Sequence, residues 1–469
     1  MSDDETATLT VGPRGAPEAK GAPVLIAVLR AEEPLAPSHR WSLADVDEVR
    51  IGRGKGPLSA SREGSRLSVR VPDGWASTEH ARLVRERDRT VLYDNGAKNG
   101  TFRQGVRVAR EVLSDGDVIE IGHTFFVYRE SQPPAPDGEL SGSARTDLLL
   151  TMQPRLGELF TRLGHAASSP LPLLIIGETG TGKELVARSV HTRSGRSGKF
   201  VPVNCGAIPS GLVESELFGH RKGAFSSATE DRLGLVPASD HGTLFLDEIG
   251  ELPASAQSTL LRALQEGEVR PVGATQVRQV DLRVVAATHR DLETMVLAGQ
   301  FRADLLARLQ GLTFRLPPLR ERREDIGLIV SSLLARRAGD RRDVTLSHAM
   351  ARDLFSRAWR RNVRELEFWL GGALALAPGP GPLEAPEGPS YDEEAPKPAR
   401  PAAPPAAPAP PRELSEEERA RRDLVAESLA RHGGNVAAVA RELGKGREQV
   451  YRWVERYGLD PEAYRPKQG

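Results

Sequence analysis

Two short segments of this chain carry residue types that together bind and cleave a phosphate anhydride. The first reads GETGTGKE and follows the apolar run 171–176. A strand, a glycine-rich loop and a helix in this order form a phosphate-binding loop, in which backbone N–H groups surround phosphate oxygens and a lysine reaches the outer phosphates. The candidate nucleotide-binding residues of this loop are Gly177, Glu178, Thr179, Gly180, Thr181, Gly182, Lys183 and Glu184.

The second segment reads GTLFLDEIGELP, in which a buried strand is predicted to end at Asp247 and Glu248. An acidic residue at the carboxyl end of a strand in an open α/β sheet faces the ligand crevice. Glu184 follows the lysine at the position where a Ser or Thr hydroxyl usually binds Mg²⁺. Asp247 is therefore the predicted metal ligand, and Glu248 the group that polarises the attacking water. The two segments predict a nucleoside triphosphatase.

Composition sets the remaining bounds. At 469 residues the chain is long enough for about three domains. Its formal net charge is zero, which favours neither nucleic acid nor membrane, and a single cysteine excludes an internal disulfide and a cysteine-rich zinc site. The start of the chain has no signal-peptide character, and no apolar run approaches the ~18 residues needed to span a bilayer. We expect a soluble, cytoplasmic protein with no membrane partner.

Pattern along the chain predicts a multidomain architecture. Short alternating stretches between Gly, Asp and Asn turns indicate a β-sandwich, strands alternating with helices indicate an α/β core, and a segment holding 13 of the 35 prolines indicates an extended spacer. The predicted parts are a disordered terminus 1–22, a β-sandwich 23–131, a linker 132–144, an α/β P-loop ATPase domain 145–315 with a helical lid 316–376, a Pro/Ala-rich linker 377–412, an all-α helix-turn-helix domain 413–460 and a tail 461–469.

The central half of the chain resembles a known family. In order, it contains GETGTGKE, VNCGAI, ESELFGHRKGAF, GTLFLDEIGELP, RVVAATHRDL, FRADLLARL, LPPLRERREDI and NVREL. These strings are similar to those of the AAA+ module of bacterial sigma-54-dependent transcription activators, also called enhancer-binding proteins. The resemblance implies ATP as substrate, Mg²⁺ as cofactor and sigma-54 RNA polymerase as partner.

The resemblance also implies roles for single residues. Asn204 matches an asparagine that holds the catalytic glutamate, and Thr288 and His289 lie at the sensor I position. Arg302 and Arg308 match arginines that act on a neighbouring subunit's nucleotide, so a homo-oligomeric ring, usually a hexamer, is implied. Arg364 matches the sensor II arginine. Here it is preceded by WRRN, where the family usually has WPGN, so the turn that presents it is expected to differ.

A departure from the family affects the sigma-54 contact loop. The family sequence is GAFTGA, whereas this chain has Gly223, Ala224, Phe225, Ser226, Ser227 and Ala228. Phe225, the apolar contact, is retained, but Ser227 replaces a glycine that adopts positive φ freely. Either the loop tolerates the change, or remodelling of sigma-54 polymerase is impaired.

Residues 24–130 resemble a forkhead-associated (FHA) domain, a reader of phosphothreonine. The resemblance rests on Gly52-Arg53, STEH at 77–80 and KNGT at 98–101. The insertion 54–65 is expected to lengthen the first binding loop, and His80 to brace the loops. The candidate phosphothreonine-binding residues are Arg53, Ser77, Thr78, Lys98 and Asn99.

The C-terminal segment resembles the Fis-type helix-turn-helix of the same activators. Ser415 and Glu418 form a predicted capping box for a helix that reaches about His432. Shorter helices are predicted over Asn435–Leu443 and Arg447–Tyr457, packed by valines and Leu443 at helical spacing. The candidate DNA-binding residues are Arg447, Gln449 and Arg452.

These readings combine into one hypothesis with two alternatives. The hypothesis is an ATP-dependent activator that binds upstream DNA and remodels sigma-54 RNA polymerase under the control of a phosphothreonine-containing protein or peptide. The first alternative is a DNA-binding repressor or co-regulator, favoured by GAFSSA and by the altered turn before Arg364. The second is a phospho-dependent scaffold with little hydrolysis, which the complete set of Lys183, Asp247, Glu248 and Arg308 disfavours.

Overall fold

The computed structural model describes residues 21–133, 135–142, 149–226, 228–337, 343–377, 381–386, 416–457 and 459–464. The chain divides into two compact units, Met1–Glu393 and Glu394–Gly469. Within the described ranges, no helix combines the length and apolar character that crossing a membrane requires.

The first unit begins with a sandwich of two sheets. The seven-stranded sheet has the order β13-β2-β1-β12-β11-β8-β9 and the six-stranded sheet the order β10-β7-β6-β3-β5-β4. Among the described strands of this sandwich, only β3 and β5 pair in parallel. The strands are β1 Ala22–Arg30, β2 Ser38–Ser42, β3 Glu48–Arg53, β4 Ser59–Glu63, β5 Arg66–Val71, β6 Ala81–Glu86, β7 Arg89–Asp94, β8 Thr101–Arg103, β9 Val106–Val108, β10 Arg110–Val112, β11 Val118–Ile121, β12 Thr124–Gln132 and β13 Gly138–Leu140.

Two segments that the sequence predicted as loop or linker are part of this sandwich. The insertion 54–65 does not form a long open loop, because its residues 59–63 fold as the exposed edge strand β4 against β5. The linker predicted from residue 132 contributes β13, which pairs with β2. The backbone hydrogen bonds of a sheet edge outweigh the Gly-, Ser- and Pro-rich composition in both places.

An α/β domain follows, built on a parallel sheet of order β15-β18-β21-β14-β22. Parallel strands buried on both faces read as continuous apolar runs, as in β14 and β21. The elements are α1 Pro154–Ala166, β14 Leu173–Ile176, α2 Lys183–Ser194, β15 Phe200–Asn204, α3 Val213–Phe218, β16 Gly219–His220, β17 Arg232–Leu233, α4 Leu235–Ala238, β18 Thr243–Asp247, α5 Ala254–Glu266, β19 Glu268–Val269, β20 Arg278–Gln279, β21 Arg283–Thr288, α6 Leu292–Leu297, α7 Ala303–Leu309 and β22 Leu312–Arg315.

A helical lid completes the first unit. Its elements are α8 Ile326–Arg337, β23 Thr345–Leu346, α9 His348–Ser356, α10 Asn362–Leu376 and β24 Pro382–Leu383. Ser347 caps α9 by accepting a hydrogen bond from the Met350 N–H. Because β24 pairs with β23, the lid extends beyond residue 376, where the spacer was predicted to begin.

The second unit holds three helices, α11 Glu416–Arg431, α12 Val436–Glu442 and α13 Arg447–Arg456. Val439, Val450 and Val454 are buried between them and Leu443 packs at the edge, as their helical spacing predicted. Asn435 caps α12 by accepting from two backbone N–H groups. The predicted Ser415 cap and most of the Pro/Ala spacer lie outside the described residues.

Candidate functional site

The phosphate-binding loop lies between β14 and α2. Gly180 and Gly182 have φ of 80° and 106°, a region that residues with a Cβ rarely adopt. The buried Lys183 ammonium donates to the backbone oxygen of Gly177 at 2.9 Å and lies 3.3 Å from that of Glu178. It also lies 3.6 Å from a carboxylate oxygen of Glu248. The loop thus holds its cation at the centre of a cleft.

Strand ends bring two predicted residues to that cleft. Asn204 ends β15 and is paired in register with Asp247, which ends β18. Burial raises the pKa of Asp247, an effect that Lys183 opposes. The cleft is lined by Thr179, Gly180, Gly182, Lys183, Glu184, Leu185, Asn204, Asp247, Glu248, Val363, Arg364 and Glu367.

Glu248 is held by a partner other than the predicted one. Its backbone is left-handed, with φ of 53°. Its Oε2 lies 2.7 Å from Nδ1 of His289 and accepts from the His289 backbone N–H at 3.4 Å. The Asn204 side chain instead accepts from the Gly206 N–H at 3.0 Å. In this structure His289 therefore occupies the holding role that the resemblance gives to Asn204.

Sequence reasoning missed a set of residues that tie the loop to the lid. The fully buried Asn362 accepts from the Leu319 N–H at 2.7 Å and donates to Glu178 Oε2 at 3.1 Å and to the Thr179 backbone oxygen at 3.0 Å. Arg320 forms an ion pair with Glu178 at 2.6 Å, which lowers the pKa of that carboxyl. The Trp and Asn that WRRN shares with the family's WPGN were the available signal, but the prediction addressed only the two central residues, Arg360 and Arg361.

The backbone of the turn that contains Arg360 and Arg361 packs against the phosphate-binding loop. A Cβ at Gly180 would lie 2.1 Å from the backbone oxygen of Arg361. Trp359 and Asn362 both have positive φ, and the Arg361 N–H donates to the Glu365 carboxylate. The turn therefore places Arg364 at the cleft without proline or glycine.

The two predicted trans-acting arginines lie elsewhere. Arg302 is exposed and forms an ion pair with Asp304 at 2.7 Å, while the exposed Arg308 donates to the Leu264 backbone oxygen at 3.2 Å. Neither lines the described cleft of its own chain. Their action on a neighbouring subunit's nucleotide stays a prediction.

The two ends of the predicted contact loop are joined by a hydrogen bond. The Gly223 N–H donates to the Ala228 backbone oxygen at 2.9 Å, and Gly223 has φ of 82°. The Phe225 ring is half-buried and meets the His220 ring edge-on at a centroid distance of 4.9 Å. Ser226 is exposed, and Ser227 lies outside the described residues.

The predicted phosphothreonine residues gather on loops at one end of the sandwich. His80 is fully buried; its Nδ1 accepts from the Ser77 N–H at 3.0 Å and its Nε2 contacts the Gly100 backbone oxygen at 3.0 Å. Burial lowers the pKa of His80, which favours the neutral ring. This contact set is the bracing role predicted for it. Around it, the side chains of Arg53, Thr78, Lys98 and Asn99 are exposed.

The predicted DNA-binding residues lie on α13. Arg447, Gln449 and Arg452 are exposed, whereas Val450 between them is fully buried. A helix whose apolar face packs and whose other face is polar is typical of a recognition helix, and the base or phosphate contacts stay a prediction.

Four family models match the chain in the order of these parts. They are the FHA domain over residues 49–122, the Sigma-54 interaction domain over 149–315, the AAA+ ATPase lid domain over 320–387 and a Homeodomain-like domain over 413–462. The match to the lid model past residue 376 agrees with the position of β24.

Curated relatives give a consistent result. The chain is 40% identical over 410 residues to the regulatory protein AtoC of Escherichia coli, covering 84% of this chain and 88% of AtoC. It is 42% identical over 338 residues to the acetoin catabolism regulatory protein of Cupriavidus necator, covering 70% of this chain but only 49% of that relative.

A solved structure of NtrX from Brucella abortus in complex with ATP is 28% identical and covers 67% of this chain and 70% of that one, with a TM-score of 0.46. That likeness is too low to support an inference. The long match to AtoC and the four domain matches suffice: the chain belongs to the sigma-54-dependent transcriptional regulators, and it combines an AAA+ domain with an FHA domain and a helix-turn-helix domain.

Proposed function

We propose that this protein hydrolyses ATP in an oligomeric ring, uses the hydrolysis to remodel sigma-54 RNA polymerase from an upstream DNA site, and is controlled by phosphothreonine recognition. The observation that carries the proposal is the convergence of Lys183, Asp247 and Glu248 on one cleft. Membership of the family supplies the polymerase and DNA as partners.

The residues present fit a Mg²⁺-bound triphosphate. Mg²⁺ sites in nucleotide-hydrolysing proteins use one or two carboxylates and complete their shell with substrate phosphates and water. Asp247 would hold the ion, which neutralises developing charge on the transferred phosphoryl group when bound. Lys183 would exchange its carbonyl contacts for phosphate oxygens. Glu248, oriented by His289, would polarise the attacking water.

An arginine finger from a second copy completes this site. An arginine supplied in trans stabilises transition-state charge and is worth about 10³–10⁵ in rate in the best-studied phosphoryl-transfer proteins. Arg302 and Arg308 are exposed and do not line the nucleotide cleft of their own protomer. Each would therefore act on the nucleotide of a neighbouring protomer. We infer a homo-oligomer, a hexamer by analogy with the family.

The domains near the two ends of the chain would bind DNA and a phosphothreonine peptide. Arg447, Gln449 and Arg452 would contact the major groove and phosphates of an upstream site. Arg53, Ser77, Thr78, Lys98 and Asn99 would bind a phosphothreonine peptide, because exposed cationic and amide groups on braced loops suit a phosphate and its flanking backbone.

A second function, DNA-binding repressor or co-regulator, is favoured by the serine pair at 226–227 in the contact loop. Without a glycine at position 227, the loop lacks the residue type that adopts positive φ freely. In that case ATP hydrolysis would serve assembly only.

Single-round transcription from a sigma-54 promoter with purified protein tests the proposal. We expect open complexes that require ATP and are absent with Glu248→Gln. Hydrolysis without open complexes would favour the co-regulator, and Ser227→Gly would then show whether the loop alone is responsible. Absence of hydrolysis would favour the phospho-dependent scaffold.

A further inference from the structure

The seven-stranded sheet of the FHA domain is apolar on both faces, and the ATPase lid covers the outer one. In β1, Leu25 and Ala27 lie in the core between the two sheets. Val24, Ile26 and Val28 belong to the same buried cluster as the lid helices α8 and α9. Since successive side chains of a strand point to opposite faces, this distribution requires a covered outer face.

The backbones of the FHA sheet and the lid are in direct contact. A Cβ added to Gly327, in the first turn of α8, would lie 1.6 Å from the backbone oxygen of Val28. The Phe125 and Phe355 rings stack across the same surface with centroids 5.2 Å apart. The Leu346 N–H donates to the Ala31 backbone oxygen at 2.7 Å. The FHA domain is therefore packed on the lid over a continuous surface.

Two buried carboxylates form ion pairs between the FHA domain and the ATPase lid. Glu324 of the segment before α8 is paired with Arg129 of β12 at 2.5 Å. Glu120 of β11 is paired with Arg352 and His348 of α9, each at 2.6 Å. The glutamate side chains are only 1% and 3% exposed. Because a buried charge that loses its partner is strongly unfavourable, substitution of one member of either pair is expected to destabilise this surface.

The segment 319–325 joins this surface to the phosphate-binding loop. Arg320 pairs with Glu178, and Arg322 donates to the Thr181 backbone oxygen at 2.8 Å. Glu324, two residues further on, accepts from Arg129 of the FHA domain. One short segment therefore contacts both the nucleotide cleft and the FHA domain.

A row of three rings reaches the lid from the phosphothreonine loops. Trp75 accepts from the Asn99 side-chain amide at its backbone oxygen, at 2.8 Å. Its ring stacks on His123 with centroids 4.8 Å apart. His123 in turn lies 4.6 Å from His348, the first residue of α9. A ligand that engages the Asn99 side chain therefore acts beside the backbone of Trp75, whose ring begins this row.

We propose that the docked FHA domain is a regulatory part of the ATPase lid, and that phosphothreonine binding and nucleotide binding are energetically coupled within one protomer through this surface. The inference rests on the phosphothreonine recognition proposed above, but it requires neither DNA nor polymerase. The coupling route runs from Asn99 through the three rings to α9, and from Arg129 through segment 319–325 to the phosphate-binding loop.

The test measures both affinities on the full-length protein. The probes are fluorescent ADP and a pool of peptides with a central phosphothreonine and degenerate flanks, with the threonine pool as blank. We expect the phosphopeptide pool to change the dissociation constant of the ADP probe by about fivefold or more, within the usual range of couplings. ADP must change the apparent peptide dissociation constant by the same factor, because coupling is reciprocal.

Matched variants locate the coupling. His123→Ala and Arg129→Ala should bring the factor close to one, while His123→Phe, which keeps a ring, should retain it. His39→Ala removes a histidine that stacks on Trp41 inside the FHA domain, and Arg110→Ala removes an intradomain pair with Glu86 in the six-stranded sheet. Both controls should keep the wild-type factor.

Each outcome of these binding measurements either supports or overturns the proposed coupling. If both ligands bind the wild type with a factor of one, the coupling is wrong. If His123→Ala and Arg129→Ala keep the full factor, the coupling does not run through this surface and the proposal is overturned. Phosphothreonine recognition stands in both cases. If no phosphopeptide binds, the recognition itself is wrong and the coupling falls with it. Failure to activate sigma-54 polymerase leaves this measurement unaffected, so the two proposals are separable.

Discussion

The protein contains two candidate phosphate sites that are built in opposite ways. At the nucleotide cleft, Lys183 is buried, is satisfied by backbone carbonyls and faces the Glu248 carboxylate. At the FHA loops, Arg53 and Lys98 are exposed, and the buried group is the neutral brace His80.

The two sites differ in whether their cationic side chains are buried or exposed to water. The cleft buries its cation, and electrostatic interactions are stronger in the protein interior than in water. The lid holds the phosphate-binding loop through Asn362 and Arg320. The FHA loops keep their cations in water and rely on a rigid frame for geometry. We therefore expect substitutions in the cleft to abolish function, and substitutions in the FHA loops to weaken binding by a graded amount.

The largest effect is expected for Lys183→Ala. The cleft would lose its buried cation, and both ATP binding and turnover should fall to background. Equilibrium binding of fluorescent ATP, with thermal unfolding as the folding control, checks this. Retained binding at wild-type affinity would contradict the placement of the lysine.

Glu248→Gln should separate binding from chemistry. The amide cannot accept a proton, so turnover should fall by about 10²–10⁴-fold, the usual contribution of a general base. ATP affinity should stay near that of the wild type. His289→Ala is the companion variant; it should lower turnover less, since it removes only the group that orients Glu248.

Arg53→Ala should weaken phosphopeptide binding without abolishing it. A hydrogen bond to a charged group contributes about 1.5–3 kcal/mol, which corresponds to roughly 10–150-fold in affinity. Fluorescence anisotropy with the phosphothreonine pool measures the loss. Arg89→Ala serves as control, because this exposed arginine begins β7 at the hairpin end, whereas Lys98 and Asn99 follow the other end of that strand. An equal loss there would argue against a specific site.

Asn362→Ala should weaken the connection between lid and loop. The variant leaves the buried Leu319 N–H without its acceptor, at about 1–3 kcal/mol. We expect a lower midpoint of unfolding and weaker binding of fluorescent ADP. Unchanged nucleotide affinity in a destabilised protein would confine Asn362 to a role in folding.

The smallest expected effect concerns pH. Burial alone would raise the pKa of Glu120, but hydrogen bonds from His348 and Arg352 outweigh it and hold the pKa below its ordinary value. A carboxyl whose folded pKa is depressed adds stability above its unfolded pKa and loses it as pH falls through the folded value. The stability difference between wild type and Glu120→Gln should therefore be present at pH 7 and shrink below about pH 4. A difference that is constant with pH would contradict the depressed pKa.

The sequence predicted the parts with strong local patterns. The glycine-rich loop, the strand ending at Asp247 and the valine spacing of α12 and α13 are fixed by residues close together in the chain. The docking of the FHA domain depends on pairs such as Arg129 and Glu324, which are far apart in the chain and which no local pattern connects. One signal was present: in VLIAVL at 24–29 every residue is apolar, whereas a strand exposed on one face would alternate. The role of Asn362 was missed for the same reason, since its partners in the phosphate-binding loop, Glu178 and Thr179, lie more than 180 residues away.

The close packing at Gly327 affects how the ATPase can be isolated. A fragment starting at residue 149 would leave the lid side of the shared core, including Leu328, Met350 and Phe355, open to water. Large exposed apolar patches promote self-association. We expect such a fragment to aggregate when purified, and a fragment that begins at residue 21 to stay monodisperse. Any other N-terminal domain grafted onto this lid would need a replacement for the face that β1 presents.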